Sequence, residues 1–309
     1  MRIVCWSILA TIASFGLGAI AHANKEPVSL KPSSPWSLDY GETKCRLVRG
    51  FGEGDDKHYL ILDQHFPSRG AGLTVAGPEF RRFRGREETI IGFSDNAEPR
   101  SREPLKGDLG DVRHALIFSS VYFGMKPARI VVAGEGAPVQ GDKDAGGDDF
   151  AAGIPGLNTD LGSDANYLSL TQKKREVRFE TGPLAPAFEA LNSCTNDMVT
   201  DWGFDVEKQM TVAKRPAFKN VDSVAGRIQK GYPNAAVRQG VSAILRMRVT
   251  IDENGNVEEC FLNGLTNTDR LKSTACSEMY DHAEFDPALD IFGRPIRSFY
   301  TTSITYRIR

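Results

Sequence analysis

The sequence predicts an α+β fold in two parts. A β-rich N-terminal domain spans residues 36–207. A small domain at 224–309 carries a three-stranded antiparallel sheet and two helices. Three observations lead there. Short runs of β-branched and aromatic residues, punctuated by Gly, Pro and Asp, recur through the first two-thirds of the chain. The last quarter reads strand, Asn-Gly turn, strand, helix, strand. One stretch before that quarter, Leu184 to Trp202, shows apolar residues near helical spacing at Leu184, Phe188, Leu191 and Met198.

The first residues read as an export signal. Arg2 gives a basic start, Ile3 to Ile20 is almost wholly apolar or small, and Ala21-His22-Ala23 fits a small-x-small cleavage site. The apolar run is close to the roughly 18–20 residues of a membrane helix. Residues 1–23 are therefore a signal peptide or, if uncleaved, an inner-membrane anchor and the only membrane contact. Cys5 is too early for lipid modification.

The remainder of the 309 residues is enough for two domains at about 100–200 residues each. The net charge is −2 and 40% of residues are hydrophobic, an ordinary globular composition. This balance disfavours a nucleic-acid partner. Beyond the signal, Cys45, Cys194, Cys260 and Cys276 make an even set. In an exported chain that predicts disulfides and an oxidising compartment, with three connectivities open.

Residues 24–35, with Pro27, Pro32 and Pro35, read as a polar leader. Predicted strands follow at Trp36–Tyr40, Cys45–Gly50, His58–Phe66, Gly72–Val75, Glu88–Phe93, His114–Phe123 and Ala128–Ala133. From Gly134 to Asn166 the chain turns to Gly, Asp and Ala, too poor in apolar surface to offset ordering, and reads as a long exposed loop. Strands resume at Tyr167–Thr171 and Glu176–Phe179. Leu184 to Trp202 is a helix with Pro186 in its first turn. Residues 208–223 read as a linker.

In the last domain, Asn234 to Gly240 is a short helix. In Ala243–Asp252, Leu245, Met247, Val249 and Ile251 face one way and Arg246, Arg248 and Thr250 the other, a half-buried strand. Asn254-Gly255 suits the positive φ angles of a hairpin, and Asn256–Leu262 returns. Asp269 to Ala283 is a helix. In the final strand, Arg297–Ile308, Tyr300, Ile304, Tyr306 and Ile308 share one face. Thr301, Ser303, Thr305 and Arg307 make the other mostly polar.

The chemistry-bearing motifs are sparse. Arg81-Arg82-Phe83-Arg84-Gly85-Arg86 is a basic run that suits anionic lipid or an acidic partner, though more often such a run is a solvated strand face. Asp142, Asp144, Asp148 and Asp149 miss the calcium-loop spacing, and Gly50 to Gly54 reads as a turn. His58 falls on the opposite strand face from Asp63 and His65, so the three make neither a triad nor a metal site. No cofactor, metal site or catalytic residue is expected.

The ordered set Tyr232-Pro233, Ala235-Ala236, Gly240, a strand to Ile251, Asp252 to Gly255, Val257, Phe285-Asp286-Pro287-Ala288 and Gly293-Arg294-Pro295-Ile296 resembles the C-terminal domain of TonB-family proteins. The resemblance implies a periplasmic binding module. There, an extended segment of an outer-membrane transporter adds to the sheet near the last strand. Carried over, the contacts are Gln229, Tyr232, Pro233, Thr301, Thr302, Ser303, Ile304, Thr305 and Tyr306. The alternative for Tyr232-Pro233 is that it only sets the chain's approach to the helix. The sequence departs from the family at Asn263-Gly264-Leu265-Thr266, where Ser-Ser-Gly is common. It also shows no Pro-rich spacer and no intramembrane His, so the resemblance implies binding and leaves coupling to a proton-driven motor open. One bridge per domain gives Cys45–Cys194 and Cys260–Cys276, and the second is a kind of pair found in TonB-like proteins. The rival readings are an exported enzyme with an unrecognised N-terminal site, or an envelope protein that self-associates through sheet edges.

Overall fold

Residues 27–95, 98–123, 152–238, 243–264 and 273–306 are described by the computed structural model, and they form a strand-rich α+β fold. The expected signal at 1–23, the strand Ala128–Ala133, the four loop aspartates, the first residues of the helix expected from Asp269, and Ile308 lie outside them. In chain order come β1 (Val28–Leu30), β2 (Ser37–Gly41), β3 (Lys44–Phe51), β4 (His58–Gln64), β5 (Gly70–Ala76), β6 (Thr89–Gly92), β7 (Arg100–Arg102), β8 (Leu105–Leu109) and β9 (Val112–Tyr122). Helix α1 (Thr159–Asp164), β10 (Leu168–Gln172), β11 (Arg175–Phe179) and helix α2 (Ala185–Asp201) follow.

Among the described residues these strands form two sheets, ordered β2-β3-β4-β5-β9-β8 and β1-β11-β10-β6-β7. Pairing is antiparallel except for β1 on β11. Alternation on β3 puts Cys45 and Leu47 inside and Arg46 outside. Arg46 faces Asp63 across the ladder, and its guanidinium grips that carboxylate at 2.7 and 2.8 Å. Both sheets feed one core. Phe51 of the first meets Phe179 of the second edge-on at 4.9 Å. Helix α2 closes this core with Phe188, Leu191 and Cys194, and Cys194 is bonded to Cys45 of β3 with Cα atoms 6.0 Å apart.

Three segments are more ordered than the sequence suggests. The presumed leader contains β1, whose Leu30 is buried in the core. The part of the presumed loop at 152–166 packs instead of extending into solvent. Leu157 and Ala165 are buried, and α1 lies against α2. A Cβ at Gly162 would sit 2.7 Å from the Phe188 ring, so only glycine allows that approach. The presumed linker holds the end of helix α3 (Val206–Met210), β12 (Ala217–Phe218) and the start of helix α4 (Val221–Lys230).

The C-terminal part continues with helix α5 (Asn234–Arg238), β13 (Ala243–Ile251), β14 (Val257–Gly264) and helix α6 (Ala275–His282). After these come the short strands β15 (Phe285–Asp286), β16 (Ala288–Leu289) and β17 (Pro295–Ile296), and finally β18 (Ser298–Tyr306). The ten-residue α4 was not anticipated. Strands β14, β13 and β18 make an antiparallel sheet in that order. In the hairpin turn Gly255 alone takes a positive φ, +85°. The Asp252 carboxylate accepts from the Asn254 and Asn256 N–H groups at 2.8 Å. A second core joins Val224 and Ile228 of α4 to Leu245, Met247 and Val249 of β13, Met279 of α6, and Tyr300 and Ile304 of β18. Cys260 of β14 is bonded to Cys276 of α6 with Cα atoms 5.6 Å apart.

Candidate functional site

The sequence-predicted partner contacts converge on the C-terminal sheet. Tyr232 stacks on Tyr306, ring centroids 4.1 Å apart and 24° between planes. The Tyr306 hydroxyl donates to the Ile228 carbonyl at 3.5 Å, so the end of β18 abuts the C-terminal turn of α4, where Gln229 lies. Pro233 follows directly and is half-buried. Burial raises the hydroxyl pKa of both tyrosines. Gln229, Tyr232, Pro233 and Tyr306 therefore form one locale. Thr301, Thr302, Ser303, Ile304 and Thr305 run away from it along β18.

That strand is not the half-exposed ribbon the sequence suggests. Every residue from Ser298 to Tyr306 is buried. Tyr300, Ile304 and Tyr306 enter the second core as expected. The polar face, with Thr301, Ser303 and Thr305, is covered too. The covering surface is the N-terminal part of the chain. Phe299 sits against Trp202 at 5.5 Å and Phe204 at 5.4 Å. Gln209 holds the start of β18: its amide donates to the Arg297 carbonyl at 3.0 Å and accepts from the Ser298 hydroxyl at 2.6 Å. Phe218 of β12 meets Tyr300 edge-on at 5.5 Å.

Strand β13 is likewise buried on both faces. Arg246 donates to the Ser303 hydroxyl and to the Ser119 carbonyl of β9. The Arg248 guanidinium lies 4.6 Å over Trp202 and 5.5 Å from Phe261, and pairs with Glu259 at 3.3 Å. These arginines look like solvent-face residues in an alternating pattern. They are instead the polar side of an interface, where hydrogen bonds hold Arg246, and ring stacking with the Glu259 pair offsets part of the desolvated charge of Arg248.

Between the two parts lies a cleft of about 270 Å³ lined by His65, Phe66, Trp202, Arg246, Arg248 and Phe261, among others. The His65 ring is neutral there. Burial, then the neighbouring Arg246 charge, depresses its pKa to about 4. Its Nδ1–H donates to the Thr43 carbonyl at 3.1 Å. His58 is a buried structural histidine, bonded through Nδ1 to the Asp56 carbonyl at 2.6 Å.

Sheet β14-β13-β18 has β14 as its other edge. Glu258, Glu259 and Phe261 are exposed on it. Helix α6 flanks this strand, with the Cys260 N–H donating to the Tyr280 hydroxyl at 2.9 Å. The two disulfides fit an exported protein in an oxidising compartment. Among the described residues, no helix is long and apolar enough to cross a membrane, and no group of His, Cys, Asp and Glu is arranged to hold a metal ion. No family model matches the chain, and no curated protein matches it.

Proposed function

We propose that residues 221–306 form a TonB-like periplasmic protein-recognition module. It takes an extended segment of an envelope or outer-membrane transport partner by strand addition. The observation that carries this reading is the short open sheet β14-β13-β18, backed on one face by α4 and α6. Such a sheet ends in strands whose backbone can template another chain. The order helix, short helix, strand, strand, helix, strand supports the resemblance seen in the residues.

Strand β18 is the edge the resemblance implies, and the Tyr232–Tyr306 stack joins Gln229, Tyr232 and Pro233 to it. Because β18 is buried in the chain alone, addition there requires the segment over it to move aside. A second reading places the partner on β14, favoured by the exposure of Glu258, Glu259 and Phe261. Crosslinking of the full chain in the periplasm tests both. Recovery of an envelope or outer-membrane transport protein supports recognition. Recovery of the chain's own dimer alone supports self-association instead.

A further inference from the structure

Two adjoining clefts on the N-terminal part are crowded with cations. Arg81, Arg82 and Arg175 line both. Arg84, Lys106 and Lys173 complete one of about 620 Å³, and Lys174 joins the other, of about 580 Å³. Three carboxylates share the walls: Glu79, Glu87 and Glu176.

The fold assembles this face from distant segments. The basic run is not a strand face. Arg81 and Arg82 end a 3-10 turn, Pro78–Arg82, whose Phe80 is buried, as is Phe83 just beyond it. These two rings anchor the loop and leave the arginines outside. Lys173 and Lys174 sit at the turn between β10 and β11. Gln172, 3% exposed, clips turn to loop. Its amide accepts from the Arg84 N–H at 2.9 Å and donates to the Arg84 carbonyl at 2.8 Å. Lys106 reaches from β8 to cap the Arg81 and Phe83 carbonyls at 3.0 and 2.7 Å.

The charge is not neutralised internally. Lys173 pairs with Glu87 at 2.8 Å, and Glu176 turns to Arg178 at 3.4 Å. Arg81, Arg82, Arg84, Lys174 and Arg175 make no ion pair among the described residues. Glu87 is held below the ordinary carboxylate range, first by its hydrogen bond to Lys173 and then by the surrounding cations. Backbone strain gathers here as well. Among the described residues, three that are not glycine take a positive φ: Arg86 at +59°, His114 at +67° and Lys173 at +53°. His114 and Lys173 line the clefts, and Arg86 ends the basic run. Outside glycine such backbone conformations are uncommon, and the Lys173 one belongs to the tight turn between β10 and β11.

We propose that this face binds a polyanion through its phosphate groups, with more than one phosphate held across the two clefts that share Arg81, Arg82 and Arg175. Guanidinium forks match phosphate oxygens, and a concave surface on which cations outnumber carboxylates concentrates the attracting field. The site is not built for single-stranded nucleic acid: Phe83, the aromatic ring in both linings, is buried and offers no stacking platform. A phosphate-bearing lipid headgroup and a soluble polyphosphate present the same chemistry.

The test titrates the full chain with tripolyphosphate and, separately, sediments it with phosphatidylglycerol or phosphatidylcholine vesicles. The variants are Arg82→Glu, Arg175→Glu, the milder Arg82→Gln, and Lys208→Glu on α3 as an equal change of net charge elsewhere. Melting midpoints confirm that each variant is folded. Tripolyphosphate binding identifies a soluble ligand, and binding to phosphatidylglycerol vesicles alone identifies a headgroup. In either case Arg82→Glu and Arg175→Glu weaken binding by at least about tenfold, Arg82→Gln by less, and Lys208→Glu leaves it unchanged. Absence of binding to both probes, or equal weakening by Lys208→Glu, overturns the proposal.

Discussion

Tyr232, just past the C-cap of α4, stacks on Tyr306 at the end of β18, with ring centroids 4.1 Å apart. The contact ties the turn before the short helix α5 to the edge strand of the sheet. It joins the two places that the sequence singles out as one surface. Offset aromatic pairs contribute about 0.5–1.5 kcal/mol beyond their buried area. A double-mutant cycle with Tyr232→Ala and Tyr306→Ala, read by urea unfolding, is expected to give a coupling energy in that range. Each single variant is expected to lose about 3 kcal/mol, the scale of large-to-small aromatic substitutions in a core. Additive losses would show that the stack is a bystander.

The two disulfides close loops of very different length. Cys45 and Cys194 are 149 positions apart, and Cys260 and Cys276 are 16 apart. The chain-entropy account gives about 5 kcal/mol for the first and about 3 kcal/mol for the second. Replacing Cys45 and Cys194 by Ala is therefore expected to lower the unfolding midpoint more than replacing Cys260 and Cys276. The reverse order would place the decisive contribution of the shorter bridge in the native packing of α6 on β14.

Gln209 is the polar hinge pin between the two parts. It is 5% exposed and satisfies both the Arg297 carbonyl and the Ser298 hydroxyl. Gln209→Ala leaves those groups buried without that partner, at a cost of about 1–3 kcal/mol. Hydrogen exchange should show the loss concentrated at the start of β18. Protection that falls evenly over the whole chain would contradict this role.

His65 makes stability depend on pH. Its pKa is about 4 in the folded chain, below the 6.5 of an unhindered imidazole. The unfolded chain therefore binds the proton first as pH falls. Stability is fully present above about 6.5 and is lost as pH drops toward about 4, on the order of 3 kcal/mol for this group. Urea midpoints at pH 7.5 and pH 4.5 are expected to converge in His65→Gln relative to the natural chain. An unchanged pH dependence would assign the loss to other groups.

Much of this fold is legible in the residues, and the parts that are not have physical causes. Strands such as Cys45–Gly50 and Glu176–Phe179 carry their own alternation. The helix from Leu184 to Trp202 has both its spacing and its starting Pro186, and the hairpin at Gly255 has its turn chemistry. What escapes is whatever depends on a remote surface. Arg246, Arg248, Thr301 and Ser303 look like a solvent face, because a local pattern cannot tell water from the Trp202 side of another core. Leu157 and Ala165 stand in a segment too poor in apolar residues to signal packing, yet α2 supplies the partner surface. The basic run Arg81–Arg86 is visible in sequence. Its companions Lys173, Lys174 and Arg175 lie far along the chain and are brought to it by Gln172 and the Lys173–Glu87 pair.

Strand addition to the C-terminal sheet is the central proposal, and site-specific photocrosslinking of the exported chain is its sharpest test. A photoreactive phenylalanine is placed in the full chain at Gln229, beside β18, and in a second sample at Phe261, on β14. One of these positions, and not the other, is expected to yield an adduct with an envelope or outer-membrane transport protein. The position that reacts names the edge in use. No adduct from either position, or adducts only with a second copy of the chain, would contradict it.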